Sequence, residues 1–291
     1  MIVVTGATGN VGRPLTRALA EAGERVTAVS RHAATMPDGV THVAADLAEP
    51  STLIPALDGA KALFLLLSGD LHAPDAKPTD IIDLAAAHRV PRVVLLSSQG
   101  VATRPLGRTR IALRGVEDAL RRSGLDWAVL RPGGFASNAL AWAESIRTQG
   151  TAAAPFADVG VPVVDPTDIA EVAAACLRGD RHTGEIYELT GPEVITPREQ
   201  ATAIAAALGS PVRFHELTRE EAKAGMTQSV PPELADDTLD IIAAPNAAEL
   251  RISPDVERVL GRAPHSFESW VARNIAAFDS GSGSGESHGQ L

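Results

Sequence analysis

Short apolar runs alternate with helix-length amphipathic segments through about residue 131. The run at 61–68 is continuously apolar from 62 to 67, which is typical of a parallel strand covered on both faces. Repeated strand–helix–strand units imply right-handed crossovers, so the pattern predicts an α/β fold with a doubly wound parallel sheet. The predicted strands are 2–5, 25–30, 40–47, 61–68, 92–98 and 126–132, and the predicted helices are 11–23, 50–57, 79–89 and 108–123.

The pattern is less regular after residue 132. A strand followed by a helix is predicted within 161–177, with the helix capped near Asp165 or Thr167, and helices separated by Pro-rich loops follow residue 218. We therefore divide the chain into a core at 1–132, a mixed segment at 133–278 that completes the sheet and forms a smaller α/β part, and a tail. The Gly/Ser-rich tail at 279–291 has too few apolar side chains to build a core and is predicted to be disordered. Further strands are predicted at 185–191 and 212–217, and a helix at 196–209.

Composition narrows the range of partners. The 291 residues carry a formal net charge of −10, which repels nucleic-acid phosphate and argues against nucleic-acid binding. No apolar run is long enough to span a bilayer, and the start of the chain does not read as a signal peptide, so a cytoplasmic protein without membrane attachment is expected. Its partner is then a small-molecule substrate, and the chain is expected to be a monomer or a homodimer.

Metal and disulfide chemistry are not predicted. Cys176 is the only cysteine, so no disulfide can form within the chain. The eight histidines are scattered and form no metal-binding motif, so no metal site is expected.

The strongest local signal is the segment VVTGATGNVG, which follows the first strand and opens the first helix. Gly6 permits a tight turn, Gly9 lets the backbone approach a diphosphate, and Gly12 lets the helix pack closely on the sheet. Unpaired N–H groups at the helix start suit the anionic phosphates. The alternative is a glycine-rich turn with no ligand, but the complete strand–turn–helix context favours a dinucleotide site in a Rossmann-type fold.

The segment TGATGNVG resembles the fingerprint of the NmrA-like branch of the atypical short-chain dehydrogenases/reductases. Supporting segments occur in the family's order and spacing: Ser30–Arg31, AADLAEPSTL around Asp46, SGLDWAVLRPGGFASN at 123–138, and YELTGPE at 187–193. The resemblance implies NAD(P)H binding by the core at 1–132 and substrate binding by the smaller part. The family includes quinone and dye reductases, and also proteins that sense the cofactor without known turnover.

The resemblance also implies which residues bind the cofactor. Arg31 stands where an acidic residue would favour NAD, and a guanidinium suits a 2′-phosphate, so NADPH is expected in preference to NADH. A solvated Arg31, a helix-capping Asp46 and plain core leucines are the alternatives. The expected cofactor residues are Gly6, Thr8, Gly9, Asn10, Val11 and Gly12 at the diphosphate, Ser30 and Arg31 at the 2′-phosphate, Asp46 and Leu47 at the adenine, and Leu66, Leu67 and Ser68 at the nicotinamide ribose.

The catalytic signal of the wider superfamily is missing. Its Tyr and Lys pair has no counterpart, because the only tyrosine is Tyr187 in a late strand. Ser97, or its neighbour Ser98, can polarise a carbonyl, although a turn or capping role explains either serine equally well. A proton can otherwise come from water. The arginines Arg108, Arg110 and Arg114 can anchor an anionic substrate or simply form a solvated face.

The segment after the sixth predicted strand supplies candidate substrate residues. Phe135, Asn138 and Trp142 follow the carboxyl end of that strand, where ligands bind in doubly wound sheets. Core packing is the alternative for the two aromatic residues.

We therefore predict an NADPH-dependent oxidoreductase that transfers hydride to a small, planar, apolar acceptor such as a quinone, a dye, or an activated carbonyl or alkene. The alternatives are a non-catalytic NADP(H)-sensing regulator and a biosynthetic isomerase or cyclase on the same fold.

Overall fold

A seven-stranded parallel sheet forms the centre of the molecule, in the order β3-β2-β1-β4-β5-β6-β8. The computed structural model describes residues 1–67, 71, 76–104, 107, 110–228 and 231–279. The strands are β1 Ile2–Thr5, β2 Val26–Ser30, β3 Val40–Ala44, β4 Ala62–Leu66, β5 Arg92–Leu96, β6 Asp126–Pro132, β7 Thr151–Pro155, β8 Glu185–Leu189 and β9 Arg213–Leu217.

Helices cover both faces of this sheet and build the later part of the chain. Three-residue to seven-residue 3-10 helices supplement them, including one at Ala136–Trp142 directly after β6. The α-helices are α1 Gly12–Glu21, α2 Ile54–Leu57, α3 Asp80–Ala87, α4 Gly100–Thr103, α5 Ile111–Arg122, α6 Ala143–Gln149, α7 Pro166–Arg178, α8 Pro197–Leu208, α9 Arg219–Met226, α10 Pro232–Ala243, α11 Asp255–Leu260 and α12 Phe267–Asn274.

The sheet is buried on both sides because neighbouring residues of a strand point to opposite faces. Ile2 and Val4 of β1 pack into the cluster beneath α1 and α7, whereas Val3 packs into the cluster beneath α3 and α5. All three side chains are fully buried, and this explains why the inner strands contain almost no polar residues.

Strand order reverses at β1, which pairs with β2 on one side and β4 on the other. In a doubly wound sheet, ligands bind beyond the carboxyl ends of the strands at such a reversal. The predicted Rossmann-type fold is confirmed, and the topology places the glycine turn after β1 at this point.

The later part of the chain departs from the sequence prediction at α6, which was not predicted, at β7 and in the segment before α7. Strand β7, with the sequence TAAAP, pairs in parallel with β9 in a separate two-stranded sheet. We did not predict β7, because alanine and proline carry little strand signal. The strand predicted before α7 is wrong: only isolated bridges join Phe135 to Val164 and Val161 to Ile195.

The cap predicted at the start of α7 is present. Asp165 caps α7 as predicted, its carboxylate accepting from the Thr167 amide at 2.8 Å. The division into parts at residue 132 remains a prediction, and the tail beyond Asp279 lies outside the described residues. No helix within the described ranges has the length and apolar character required to cross a membrane.

Candidate functional site

The glycine turn joins β1 to α1 with very little space between the two elements. Gly6 adopts a left-handed φ of 61°, and the amide of Gly9 donates to its carbonyl oxygen at 3.0 Å. A Cβ atom added to Gly12 would lie 2.1 Å from that same oxygen. Gly12 therefore permits the first turn of α1 to sit against the glycine turn.

The start of α1 suits an anionic ligand. No side chain caps this helix, and its first turn contains no acidic residue. By contrast, α8 begins with a capping box formed by Thr196 and Glu199. The positive end of the α1 dipole is thus left available to phosphate oxygens, and the residues fit a dinucleotide at this point.

A cleft of about 260 Å³ lies beside this helix end, beyond the carboxyl ends of β1, β2 and β4. It brings together ten of the thirteen predicted cofactor residues. Its lining residues are Thr5, Gly6, Thr8, Gly9, Asn10, Val11, Val29, Ser30, Arg31, Ala45, Asp46, Leu47, Leu66 and Phe135. We call this cavity the cofactor cleft.

Three predicted cofactor residues are not part of the lining that the structure describes. Gly12 lies beneath the turn and contributes close packing. Leu67 is 7% exposed and packs into the core between the sheet and α3, as the alternative interpretation held. Ser68 lies outside the described residues.

Polar residues at the far side of the cleft also have structural partners. The Ser30 hydroxyl donates to the His32 carbonyl at 2.8 Å. The Asp46 carboxylate accepts from the Ala48 amide at 2.9 Å, so its turn role exists together with its place in the lining. Arg31 is exposed on the rim of the cleft.

A second cavity of about 280 Å³ adjoins the cofactor cleft, and Phe135 lines both. We call it the acceptor cavity. Residues from β5 to α4, the segment after β6, and α10 with its following loop surround it. Its lining residues are Ser98, Gln99, Gly100, Arg104, Arg110, Pro132, Gly133, Gly134, Phe135, Asn138, Val161, Pro162, Thr238, Ile241, Ile242, Pro245 and Glu249.

The acceptor cavity contains two of the three predicted substrate residues. Phe135 and Asn138 belong to its lining, but Trp142 lies in neither cavity. The Trp142 indole donates to the Ala153 carbonyl at 2.8 Å and packs edge-on against Phe214. Its position is accounted for by packing in the smaller part, which was the alternative interpretation.

Ser97 and Ser98 have different surroundings although they are adjacent. Ser98 lines the acceptor cavity, whereas Ser97 is 7% exposed and donates to Glu117 at 2.6 Å. Ser97, our predicted catalytic residue, is therefore placed as a hydrogen-bond donor to a buried carboxylate and does not line the cavity.

Glu117 is fully buried at the centre of an ionic cluster. Both of its oxygens accept from Arg131, and Arg121 donates to it at 2.7 Å. Burial raises the pKa of Glu117, but the hydrogen bonds from Arg131 and Ser97 and the nearby positive charges outweigh burial, so the net pKa is lowered. This carboxylate stays ionised and ties α5 to β6.

The acceptor cavity contains a second ion pair that the sequence analysis missed. The Arg104 guanidinium donates from Nε and Nη2 to the two oxygens of Glu249, at 2.8 and 2.7 Å. These residues are 145 positions apart in the chain, and nothing in the sequence connects them. The contribution of α10 was missed for the same reason.

The only tyrosine of the chain has a buried hydrogen-bond partner and does not line either cavity. Tyr187 on β8 is 4% exposed and its hydroxyl lies 2.6 Å from His182 Nδ1. Burial raises the pKa of Tyr187 to about 12 and lowers the pKa of His182. Tyr187 belongs to neither cavity lining.

Residues 6–180 match the family described as NAD(P)H-binding. The chain belongs to this NAD(P)H-binding family. The match begins at the glycine turn and extends through α7, so it includes every described residue of the cofactor cleft except Thr5. The family predicted from the fingerprint is thereby confirmed.

Curated relatives and a solved structure resemble nearly the whole length of the chain. A (4-alkanoyl-5-oxo-2,5-dihydrofuran-3-yl)methyl phosphate reductase of Streptomyces griseus is 36% identical, covering 96% of this chain and 99% of the relative. An NAD(P)H azoreductase of Xenophilus azovorans is 32% identical with the same coverage. The structure of an Escherichia coli NADPH-dependent quinone oxidoreductase complexed with NADPH is 25% identical, with a TM-score of 0.74, covering 95% of this chain and 99% of that chain.

These relatives are named as reductases, and the chain is accordingly an NAD(P)H-dependent oxidoreductase. They do not favour the sensor or the isomerase and cyclase alternatives.

Proposed function

We propose that this protein is an NADPH-dependent reductase of a small conjugated acceptor, either a quinone or an alkene activated by a carbonyl group. The observation that carries the proposal is the junction of the two cavities at Phe135. A cofactor in one cavity and an acceptor in the other can lie in contact there, as hydride transfer requires.

The cofactor cleft has the groups that NADPH needs. The amides at residues 10–12, at the start of α1, would hold the diphosphate, Asp46 and Leu47 would lie beside the adenine, and Leu66 would lie beside the nicotinamide ribose. Arg31 on the rim would bind the 2′-phosphate. The quinone oxidoreductase complexed with NADPH supports this choice of cofactor.

The acceptor cavity matches a small ring in size and character. Phe135 and Ile241 supply apolar walls, and Ser98, Gln99 and Asn138 supply polar groups that can orient a carbonyl. The relatives support a conjugated acceptor, since one is named for an oxo-dihydrofuran compound and the other two for azo and quinone reduction.

When bound, NADPH supplies a hydride, and one proton from water completes the addition of two hydrogens to the acceptor, with NADP⁺ as the other product. The described lining of the acceptor cavity contains no Tyr, Lys or His. Glu249 is held ionised: burial raises its pKa, but hydrogen bonds from Arg104, Asn246 and Thr103 outweigh this, so the net pKa is lowered. Water reaching the cavity is therefore our proposed proton source.

Binding of NADPH and NADH to Arg31→Ala tests the cofactor assignment. We expect this variant to bind NADPH about tenfold or more weakly, because a charge-assisted hydrogen bond is lost, with NADH binding almost unchanged. Arg25→Ala removes an exposed arginine outside the cofactor cleft and is the matched control. An unaltered NADPH-to-NADH ratio in Arg31→Ala would refute the assignment.

Oxidation of NADPH, followed by absorbance with a panel of quinones, enones and unsaturated lactones, tests the reaction. Turnover with at least one class is expected. Binding of NADPH without turnover of any acceptor would instead support a sensor.

A further inference from the structure

A third cavity, of about 450 Å³, adjoins the cofactor cleft, and Thr8 lines both. Residues from the glycine turn, the exposed side of α1 and the segment after β2 surround it. We call it the α1 cavity. Its lining residues are Ala7, Thr8, Arg13, Thr16, Arg17, Ala34, Thr35, Met36 and Pro37.

The α1 cavity is cationic. Arg13 and Arg17 line it, and none of the residues that the structure describes in its lining is acidic. The chain as a whole carries a formal net charge of −10, so its overall field repels anions. Local cations of this kind would be needed to attract an anionic group.

The wall of the cavity on α1 is polar as well as charged. Arg13, Thr16 and Arg17 share one face of α1, because residues three and four positions apart are neighbours on a helix. Thr16 is 1% exposed, and its hydroxyl has no hydrogen-bond partner among the described residues. Buried polar groups nearly always have a partner, so this wall suits a polar occupant.

Arg13 lies where the two cavities meet. Its Nη2 atom donates to the Thr8 carbonyl at 3.1 Å, and its side chain is exposed. This bond uses one of the five N–H donors of a guanidinium, and its acceptor is neutral, so the bond does not offset the positive charge. Further donors of Arg13 can therefore bind an anion at this junction.

The cofactor cleft is small for a whole dinucleotide. Its volume of about 260 Å³ is below the roughly 300–1,000 Å³ of sites for drug-sized ligands, so part of the cofactor must extend into adjoining space. Thr8 and Arg31 line the same cleft. A phosphate on the adenine ribose that Arg31 binds from one side can thus face Arg13 from the other. Such a phosphate has three outer oxygens and about 1.5–2 negative charges, which suits two guanidinium groups.

We infer that Arg13 is a second residue that selects NADPH over NADH: its guanidinium binds the 2′-phosphate of the cofactor, which enters the α1 cavity beside Thr8. Arg31 would hold the same phosphate from the rim of the cofactor cleft. The inference rests on the proposed function, because it concerns the cofactor of the same reductase. It gives a ligand-binding role to a residue outside the glycine motif, since Arg13 follows the last glycine of that motif.

Calorimetric titration with 2′,5′-ADP and 5′-AMP tests the inference, because these probes differ only in the 2′-phosphate. Wild-type protein should bind 2′,5′-ADP more tightly than 5′-AMP. Arg13→Gln should weaken the binding of 2′,5′-ADP by about tenfold or more, as expected for the loss of hydrogen bonds from a charged donor, and should leave the binding of 5′-AMP unchanged. The same difference is expected between NADPH and NADH.

Arg13→Lys distinguishes a contact with the phosphate from a structural role. This variant keeps the charge but cannot donate two parallel hydrogen bonds, so it should recover only part of the affinity for 2′,5′-ADP. A purely structural role of Arg13 would change the affinities for 2′,5′-ADP and 5′-AMP alike, and that result would refute the inference.

The matched control is Arg17→Gln, which removes one exposed positive charge from the same cavity, one helical turn beyond the junction. It should weaken 2′,5′-ADP binding by no more than about threefold, because an exposed charge without a hydrogen bond contributes little and is screened by salt. A loss as large as that of Arg13→Gln would show that the potential of the cavity, and not a contact from Arg13, selects the phosphate.

The remaining outcomes separate this inference from the proposed function. If the wild type prefers 2′,5′-ADP but Arg13→Gln binds both probes as the wild type does, the inference is overturned while the choice of NADPH stands. If the wild type binds the two probes equally, the preference for NADPH fails, and the role of Arg13 fails with it.

Discussion

We expect a single added methyl group to disrupt the cofactor cleft most strongly at Gly12. In Gly12→Ala the new Cβ would lie 2.1 Å from Gly6 O, 2.7 Å from Gly6 C and 2.8 Å from Ala7 Cα. All three are backbone atoms, so no side chain can rotate away. Restoring even a 3.0 Å separation from the oxygen requires α1 and the turn to part by about 0.9 Å.

That movement opposes close packing beneath α1, where Leu15 and Leu19 are fully buried. Overpacking of this kind costs about 1–3 kcal/mol. For a chain of this size the cost corresponds to a fall in Tm of about 2–12 °C. The turn that would hold the diphosphate moves as well, so the stabilisation by NADPH, about 2.7 kcal/mol at a hundred times Kd, should shrink.

Thermal unfolding with and without NADPH measures both effects. Gly115→Ala is the matched control, because this glycine is inside α5 and a Cβ atom there meets nothing within 4 Å. It should gain about 0.5–1 kcal/mol from improved helix propensity. If Gly12→Ala melted at the wild-type temperature and responded equally to NADPH, our account of the turn would be refuted.

Two further predictions concern buried polar groups. Glu117→Gln should lose about 3–5 kcal/mol at neutral pH, because it breaks a buried ion pair. Since the folded pKa of Glu117 is lowered, its contribution is complete above the ordinary value of 4.5 and is lost as pH falls through the folded pKa. Urea unfolding should therefore show the wild-type and variant curves converging below about pH 4.5, and a constant gap would contradict this. Tyr187→Phe should cost about 1–3 kcal/mol by removing the partner of His182. The kcat of this variant should be almost unchanged. A fall in kcat of about 10²-fold, which is typical of a lost general acid, would instead show that Tyr187 donates a proton in the reaction.

Much of the cofactor cleft was predictable because it consists of short segments at the carboxyl ends of predicted strands. The glycine turn directly follows β1, Ser30–Arg31 lie at the end of β2, and Asp46–Leu47 lie just beyond the end of β3. In a parallel sheet the carboxyl ends of all strands meet at one edge, so a strand pattern and a glycine motif suffice to place these segments together. Local sequence thus determined the fold class and most of this cleft.

The acceptor cavity was decided by the tertiary structure. Arg104 and Glu249 are 145 positions apart, and α10 reaches the cavity from a region whose sequence predicts only helices. The tertiary structure also distinguishes the adjacent residues Ser97 and Ser98. Ser97 is in the core because it donates to the buried Glu117, whereas Ser98 lines the cavity. Periodicity specifies which residues are buried within an element, but contacts between distant segments depend on how whole elements pack.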